Sequence, residues 1–311
     1  MKFLLLLVFV FAIYCGFDFF TIVDLGGWRV IIQNLRLPRA LVVTGTGAIL
    51  AISGLVIQNI FQNPLASPSI LGFEALVVGM LVSFVLFGLE FNTYFFWGIY
   101  LFCFLVLIFS YYQILKRIRK QSPVNILLVG FSINALASAW SLLCSSLAKD
   151  KFETMIQIQS LTMGSFQGKT YFDAAVLALI AIFLFVIVSR RSFVIDMLTQ
   201  GPEISTIQGL NTQRIYMQML FLVAVSVTLA VTFGAALPFV GLIVPQLVRS
   251  FQPTFKLAIV PVAILGAVLS LFSDFAAQRI LFPRELEAGI LTALIGAPFF
   301  LWIMIRKRGL K

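Results

Sequence analysis

RLPRALVVTGTGAILAISGLVIQNIFQNPLASPSILG, residues 36–72, is the stretch whose reading decides the fold. A basic corner, Arg36-Leu37-Pro38-Arg39, opens onto a run with no Asp, Glu, Lys or Arg before Glu74. Roughly 20 apolar residues cross a bilayer, so the run is too long for one crossing. Asn63-Pro64-Leu65-Ala66-Ser67-Pro68 divides it. We therefore expect one span from Ala40 to about Phe61 and a second from near Ile70. Within the first, Gly47, Ala51 and Gly54 recur at i, i+4 and i+7, with Gly45 and Ser53 nearby. Such a stripe of small residues lets another helix approach closely in lipid.

Working outward, composition extends this reading to the whole chain. Of 311 residues 61% are hydrophobic and 11% charged, with mean hydropathy +1.06. A soluble domain carries about a quarter charged residues, so the chain reads as an all-α, polytopic membrane protein, a single transmembrane domain over 1–311. Expected spans cover Phe3–Phe17 and about 40–61, 70–89, 94–115, 124–147, 171–189, 212–233, 235–249, 256–278 and 288–305. They leave no room for a soluble catalytic domain. Fourteen Lys and Arg, among them the 116–120 cluster, Arg190 and Arg191, fall on one side of this layout and eight on the other. The larger set marks the cytoplasmic side, which places both termini in the cytoplasm.

The net charge of +10 is distributed between apolar runs, as membrane topology requires and nucleic-acid binding does not. Cys15, Cys103 and Cys144 lie in separate apolar segments, and the chain has no histidine. That spacing suggests neither a disulfide framework nor a metal site. Lys2 and its apolar run look like a signal peptide, but Tyr14 stands where a cleavage site needs a small residue; the run reads as an uncleaved first span.

Between Arg190 and Gln213 the connection carries its own punctuation. Gly201-Pro202-Glu203 sets a proline and an acid in a first helical turn, and Gly209 closes the segment as a C′ glycine does. A short helix within about 192–211 would form a rigid knob at the cytoplasmic surface. Asn63, Pro64, Pro245 and Gln246, at breaks in helix-like runs, are candidates for gating or lining a pathway. Asp274 lies inside an apolar segment, where an acid marks a functional site by default. Gln278 one turn on supplies an equally good structural explanation through a hydrogen bond.

These motifs in order, RLPR, SGLVIQNIFQNPLASPSILG, GPEISTIQGLN, LPFVGLIVPQLVR and RELEAGILTALIGAPFFLW, resemble the FecCD-type permeases of ABC importers for ferric siderophores, haem or cobalamin. The resemblance runs from about Arg36 to Trp302. Gly72-Phe73-Glu74 is also similar to the ferric anguibactin and petrobactin branch. It implies a type II importer that passes an iron chelate. Two permease subunits, the second more often a different chain than a copy, would share one pathway. Two cytoplasmic ATPase subunits would hold ATP-Mg, and an extracytoplasmic binding protein would deliver the cargo. This chain itself would bind no cofactor and hydrolyse nothing.

Carried over residue by residue, the resemblance implies that Arg36 and Arg39 meet glutamates of the binding protein, with Arg279 or Arg284 as a third basic contact. Gly201, Pro202, Glu203 and Gly209 would seat in the ATPase. Three residues depart from the family pattern: Gln246 replaces a histidine, Glu287 a proline and Glu74 the more usual serine. The residues agree with the mechanism independently. The chain contains no Gly-x-x-x-x-Gly-Lys-Ser/Thr phosphate loop, so ATP chemistry would belong to a partner. An ion-coupled secondary transporter would instead need intramembrane ionisable groups, for which only Asp274 and Glu74 qualify. An intramembrane enzyme would need a nucleophile with its base, paired acids or a metal.

Overall fold

The computed structural model describes residues 2–16, 32–88, 123–148, 151–198, 211–281 and 284–308, with single helical positions at Phe109 and Gln113. Among them are ten α-helices and no strand. They are α1 (Lys2–Gly16), α2 (Leu37–Ile60), α3 (Phe73–Leu86), α4 (Pro123–Leu147), α5 (Phe152–Met163), α6 (Tyr171–Leu198), α7 (Thr212–Phe233), α8 (Val240–Arg249), α9 (Phe255–Ile280) and α10 (Ala288–Arg308). Among the described residues, five helical stretches are long and apolar enough to cross a membrane: Gln33–Ile60, Leu127–Leu147, Tyr171–Leu198, Thr212–Phe233 and Phe255–Ile280. The expected span at 94–115 lies outside the described residues, apart from those two single positions.

Helix α2 is the axle. Eighteen of its 24 residues are buried, and a helix that is apolar all round belongs inside a bundle. It packs against α9, α6, α8 and α7. An 18-residue stretch of this span is 78% buried, against 22% for such a stretch in α4 and in α6. Those two present Leu128, Phe131, Leu136, Leu179, Phe183 and Phe193 outward, a surface suited to acyl chains.

The small-residue stripe works as its spacing predicts. A β-carbon at Gly47 would collide with the Gly266 carbonyl and Ser270 of α9. One at Gly54 would land on the Gly241 carbonyl of α8. That carbonyl would ordinarily accept from residue 245, but Pro245 has no N–H to give. The backbone of Gly54 covers the group that the proline leaves open.

Three expectations about boundaries need correction. The stretch 235–249 does not form one helix, because α8 begins only at Val240, after a non-helical passage and Phe239 at φ +68°. Helix α6 does not stop at 189 but continues to Leu198, carrying Arg190 and Arg191 within it. Their long stems let the charges reach water while the helix goes on. Finally, the connection at 149–170, expected on the outer side, contains a helix of its own, α5, with Glu153 in its first turn and Gly164 at φ +79° ending it. An acid at the start and a left-handed glycine at the end account for both boundaries.

Candidate functional site: the two ends of helix α2

At the Arg39 end, α2 is held by charge. Arg39 forks onto Asp274 of α9, Nε to Oδ2 and Nη2 to Oδ1, each at 2.9 Å. The Asp274 side chain is fully buried. Tyr14 of α1 donates its hydroxyl to Asp274 Oδ2 at 2.5 Å, and Gln278 donates to the same oxygen at 2.8 Å. Gln278 also donates to the Tyr14 hydroxyl at 2.9 Å. The remaining arm of Arg39, Nη1, reaches Glu285 Oε2 at 2.9 Å. Glu285, with a side chain 37% exposed, also accepts from Gln167 at 3.4 Å. One buried acid therefore receives four hydrogen bonds and ties α1, α2 and α9 together, with every partner satisfied as a buried ion pair demands. The Asp274–Gln278 bond expected from spacing is present. Arg39 and Tyr14 were not foreseen as partners, although an acid inside a span should have prompted a search for a cation at equal depth.

At its other end α2 is held by amides. Gln58 donates to the Leu242 carbonyl at 2.9 Å, and Gln246 donates to the Pro64 carbonyl at 2.5 Å. With Gly54 on Gly241, these contacts join α2 and the break after it to α8. Asn63 turns the chain by accepting from the Leu65 N–H at 2.9 Å, an Asx turn that starts the break. Gln62 adopts φ +49° just before it. Residues 61–72 then lead through Gly72 at φ +82° into α3, where Ser69 donates to the buried Glu74 at 2.8 Å. Here the accounting is incomplete: the buried Gln58 Oε1 and Gln246 Oε1 have no hydrogen-bond partner. Of the four residues expected at a gate, Pro64 and Gln246 are bonded to each other, and Asn63 and Pro245 flank that bond.

The expected outer basic residues are spread over one rim. Arg36 lies half-buried in a π-helical turn, Ile32–Arg36, leading into α2. The Arg279 guanidinium sits 5.7 Å from the centre of the Phe275 ring. Arg284 is exposed, and its backbone N–H donates to Leu281. Gly201, Pro202, Glu203 and Gly209 lie outside the described residues.

Comparison with known proteins places this architecture. The chain is 30% identical over 280 residues to the hemin transport system permease protein HmuU of Yersinia pestis, covering 88% of this chain and 83% of that protein. It is 30% identical over 297 residues to the vitamin B12 import system permease protein BtuC of Yersinia enterocolitica, covering 91% and 84%. A solved structure described as an inward-facing conformation of a metal-chelate type ABC transporter superposes with TM-score 0.84 at 25% identity, covering 98% of both chains. PsaBC from Streptococcus pneumoniae, at 16% identity and TM-score 0.57, shares the fold over 87% of this chain and 90% of its own. The profile of the FecCD transport family matches residues 4–306, and the chain belongs to that family.

Proposed function

We propose that this chain is a transmembrane permease subunit of an ATP-driven type II importer in the cytoplasmic membrane, and that its cargo is a ferric siderophore. The observation that carries the importer reading is the family match along nearly the whole chain, joined to relatives named as hemin and vitamin B12 permeases. The cargo reading rests on chemistry. A chain without histidine, with spans poor in charge, suits iron that travels inside its chelator better than iron handed between protein ligands.

In this reading a second permease completes the pathway, two ATPase subunits bind ATP-Mg below it, and a binding protein docks on the outer rim. Arg36, Arg279 and Arg284 supply positive charge there, which orients a docking partner more than it adds affinity. Arg39 contributes through Nη1, where a partner's carboxylate would take the place of Glu285. Of the two buried acids among the described residues, Asp274 is already paired with Arg39. Ion coupling would therefore fall on Glu74, which is why we favour an external energy source.

The test is uptake into proteoliposomes holding this chain, its second permease and its ATPase, with ferric siderophore, hemin and cobalamin offered in turn. We expect ATP-dependent accumulation of ferric siderophore and none without ATP. Accumulation of hemin or cobalamin alone would replace the cargo, and uphill uptake without ATP would remove the importer reading. Glu203→Lys is expected to keep ATP hydrolysis while abolishing uptake; normal uptake in that variant would remove the coupling role of Gly201–Gly209.

A further inference from the structure

Arg191 of α6 and Arg214 of α7 line one cavity of about 270 Å³, together with Asn211, Ile215 and Gln218. Asn211, Arg214 and Gln218 also line an adjoining hollow of about 450 Å³, which Gln213, Met217 and Phe221 complete. Among the described residues, neither lining contains an Asp or Glu. The Arg191 side chain has, among the described residues, one bond, a long one to a neutral acceptor, Nη1 to Gln218 Oε1 at 3.3 Å. The Asn211 side chain accepts from the Arg214 backbone N–H at 3.1 Å and so caps α7. The helix terminus is thus already satisfied in part, and attraction for an anion comes from the two guanidinium groups.

Two cations that share a cavity without a carboxylate repel each other until an anion joins them. The surroundings specify which kind. Arg214, Met217 and Phe221 stand at i, i+3 and i+7, on one face of α7. Charge therefore sits at the end of the helix and apolar surface lies one and two turns deeper. Phe221 is 56% exposed. A cationic hollow leading onto an exposed apolar stripe matches a phospholipid, with its phosphate at one end and acyl chain at the other. Basic pockets between membrane helices take anionic headgroups in this way, and a guanidinium forks onto phosphate oxygens. A cation that serves only as a topology anchor needs neither a shared cavity nor the stripe.

We propose that an anionic phospholipid binds between α6 and α7, its phosphate bridging Arg191 and Arg214 and its chain lying along Met217 and Phe221. The orientation proposed above assigns the lipid to the cytoplasmic leaflet; the site itself does not depend on that assignment.

The test uses the full chain purified with its partner subunits, measured by native mass spectrometry after exchange into phosphatidylglycerol or phosphatidylcholine. One phosphatidylglycerol is expected to be retained per chain in preference to phosphatidylcholine. Arg191→Gln and Arg214→Gln should each weaken retention about tenfold, the loss of one charge-assisted hydrogen bond. Arg190→Gln removes the same charge from a residue outside the cavity lining, and should leave retention within a factor of about two because exposed charges are screened. Should either cavity variant misfold, Phe221→Ser provides a second reading by shortening the apolar stripe, with reduced retention expected. Equal loss in Arg190→Gln, or no preference between the two lipids, would overturn the site. Displacement by inorganic phosphate as efficient as by lipid would identify a soluble-anion site instead. Loss of the lipid whenever the ATPase binds would assign the surface to that partner. Retention is read without transport, so its failure leaves the importer reading untouched.

Discussion

The two ends of α2 are fastened by opposite means. At the Arg39 end a buried carboxylate receives four hydrogen bonds from Arg39, Tyr14 and Gln278, drawn from three helices. At the Pro64 end two glutamines each give one bond to a backbone carbonyl, and each keeps a buried oxygen unpaired. A saturated ion pair is costly to break, because separation strands a charge in a low-dielectric interior. An amide on a carbonyl costs about 1 kcal/mol to exchange, and an unpaired oxygen favours rearrangement to a state that pairs it. The comparison predicts where motion belongs: α1, α2 and α9, tied at Arg39–Asp274, are expected to move as one body, and α8 is expected to change partners at the Pro64 break.

Breaking the joint should give the largest effect. Asp274→Ala leaves Arg39 without its buried partner and is expected to cost about 3–5 kcal/mol, read as a fall in the unfolding midpoint in detergent. The double variant Arg39→Met with Asp274→Leu should recover most of that loss, since it strands no buried charge and Glu285, with a side chain 37% exposed, can be solvated. If the double variant is as unstable as the single, the joint does not act as an ion pair.

Next in size is Gly54→Leu, which must push α8 away from α2 because Gly241 already lies against Gly54. Overpacking of this kind costs about 1–3 kcal/mol. A cysteine crosslink between α2 and α8 should form more slowly in that variant; unchanged crosslinking would show that the helices are not in register there. Tyr14→Phe removes one of the four donors to Asp274 and should cost about 1 kcal/mol in the same unfolding assay. A loss near that of Asp274→Ala would mean that Tyr14, not Arg39, carries the joint.

The smallest stability change and the most informative functional one belong to Gln246→Leu. It removes the bond to Pro64 together with an unpaired oxygen, so stability should move by less than about 1 kcal/mol. ATP hydrolysis in the absence of cargo should rise, because the resting arrangement of the break loses its tie. Unchanged basal hydrolysis would deny the Gln246–Pro64 bond any part in gating.

Much of this comparison could be seen in the residues alone, at one end more than the other. The Pro64 end is local: Asn63-Pro64, Pro245 and the glycine stripe announce a break and a close approach through backbone chemistry that each residue carries with it. The Asp274–Gln278 bond is also local, one helical turn. The Arg39–Asp274 pair joins positions 235 apart in the chain, and no periodicity encodes which cation reaches an intramembrane acid. Helix lengths misled for a related reason. In the sequence Arg190 and Arg191 read as the end of a span, yet α6 continues to Leu198 because a helix satisfies its own backbone in water as well as in lipid. Helix α5, in which Ile158 alone is buried and which lies outside any long apolar run, lacks the hydropathy signal by which spans are recognised.

The most direct test of the account uses pairs of spin labels in the assembled importer, with the native cysteines replaced. One pair, at Leu65 and Leu247, reports on the break; the other, at Leu35 and Leu281, reports on the joint. Adding ATP-Mg to the assembled importer should shift the Leu65–Leu247 distance distribution and leave the Leu35–Leu281 distribution unchanged. A shift confined to Leu35–Leu281, or none at either pair, would contradict a permease that pivots about Arg39–Asp274 and yields at Pro64.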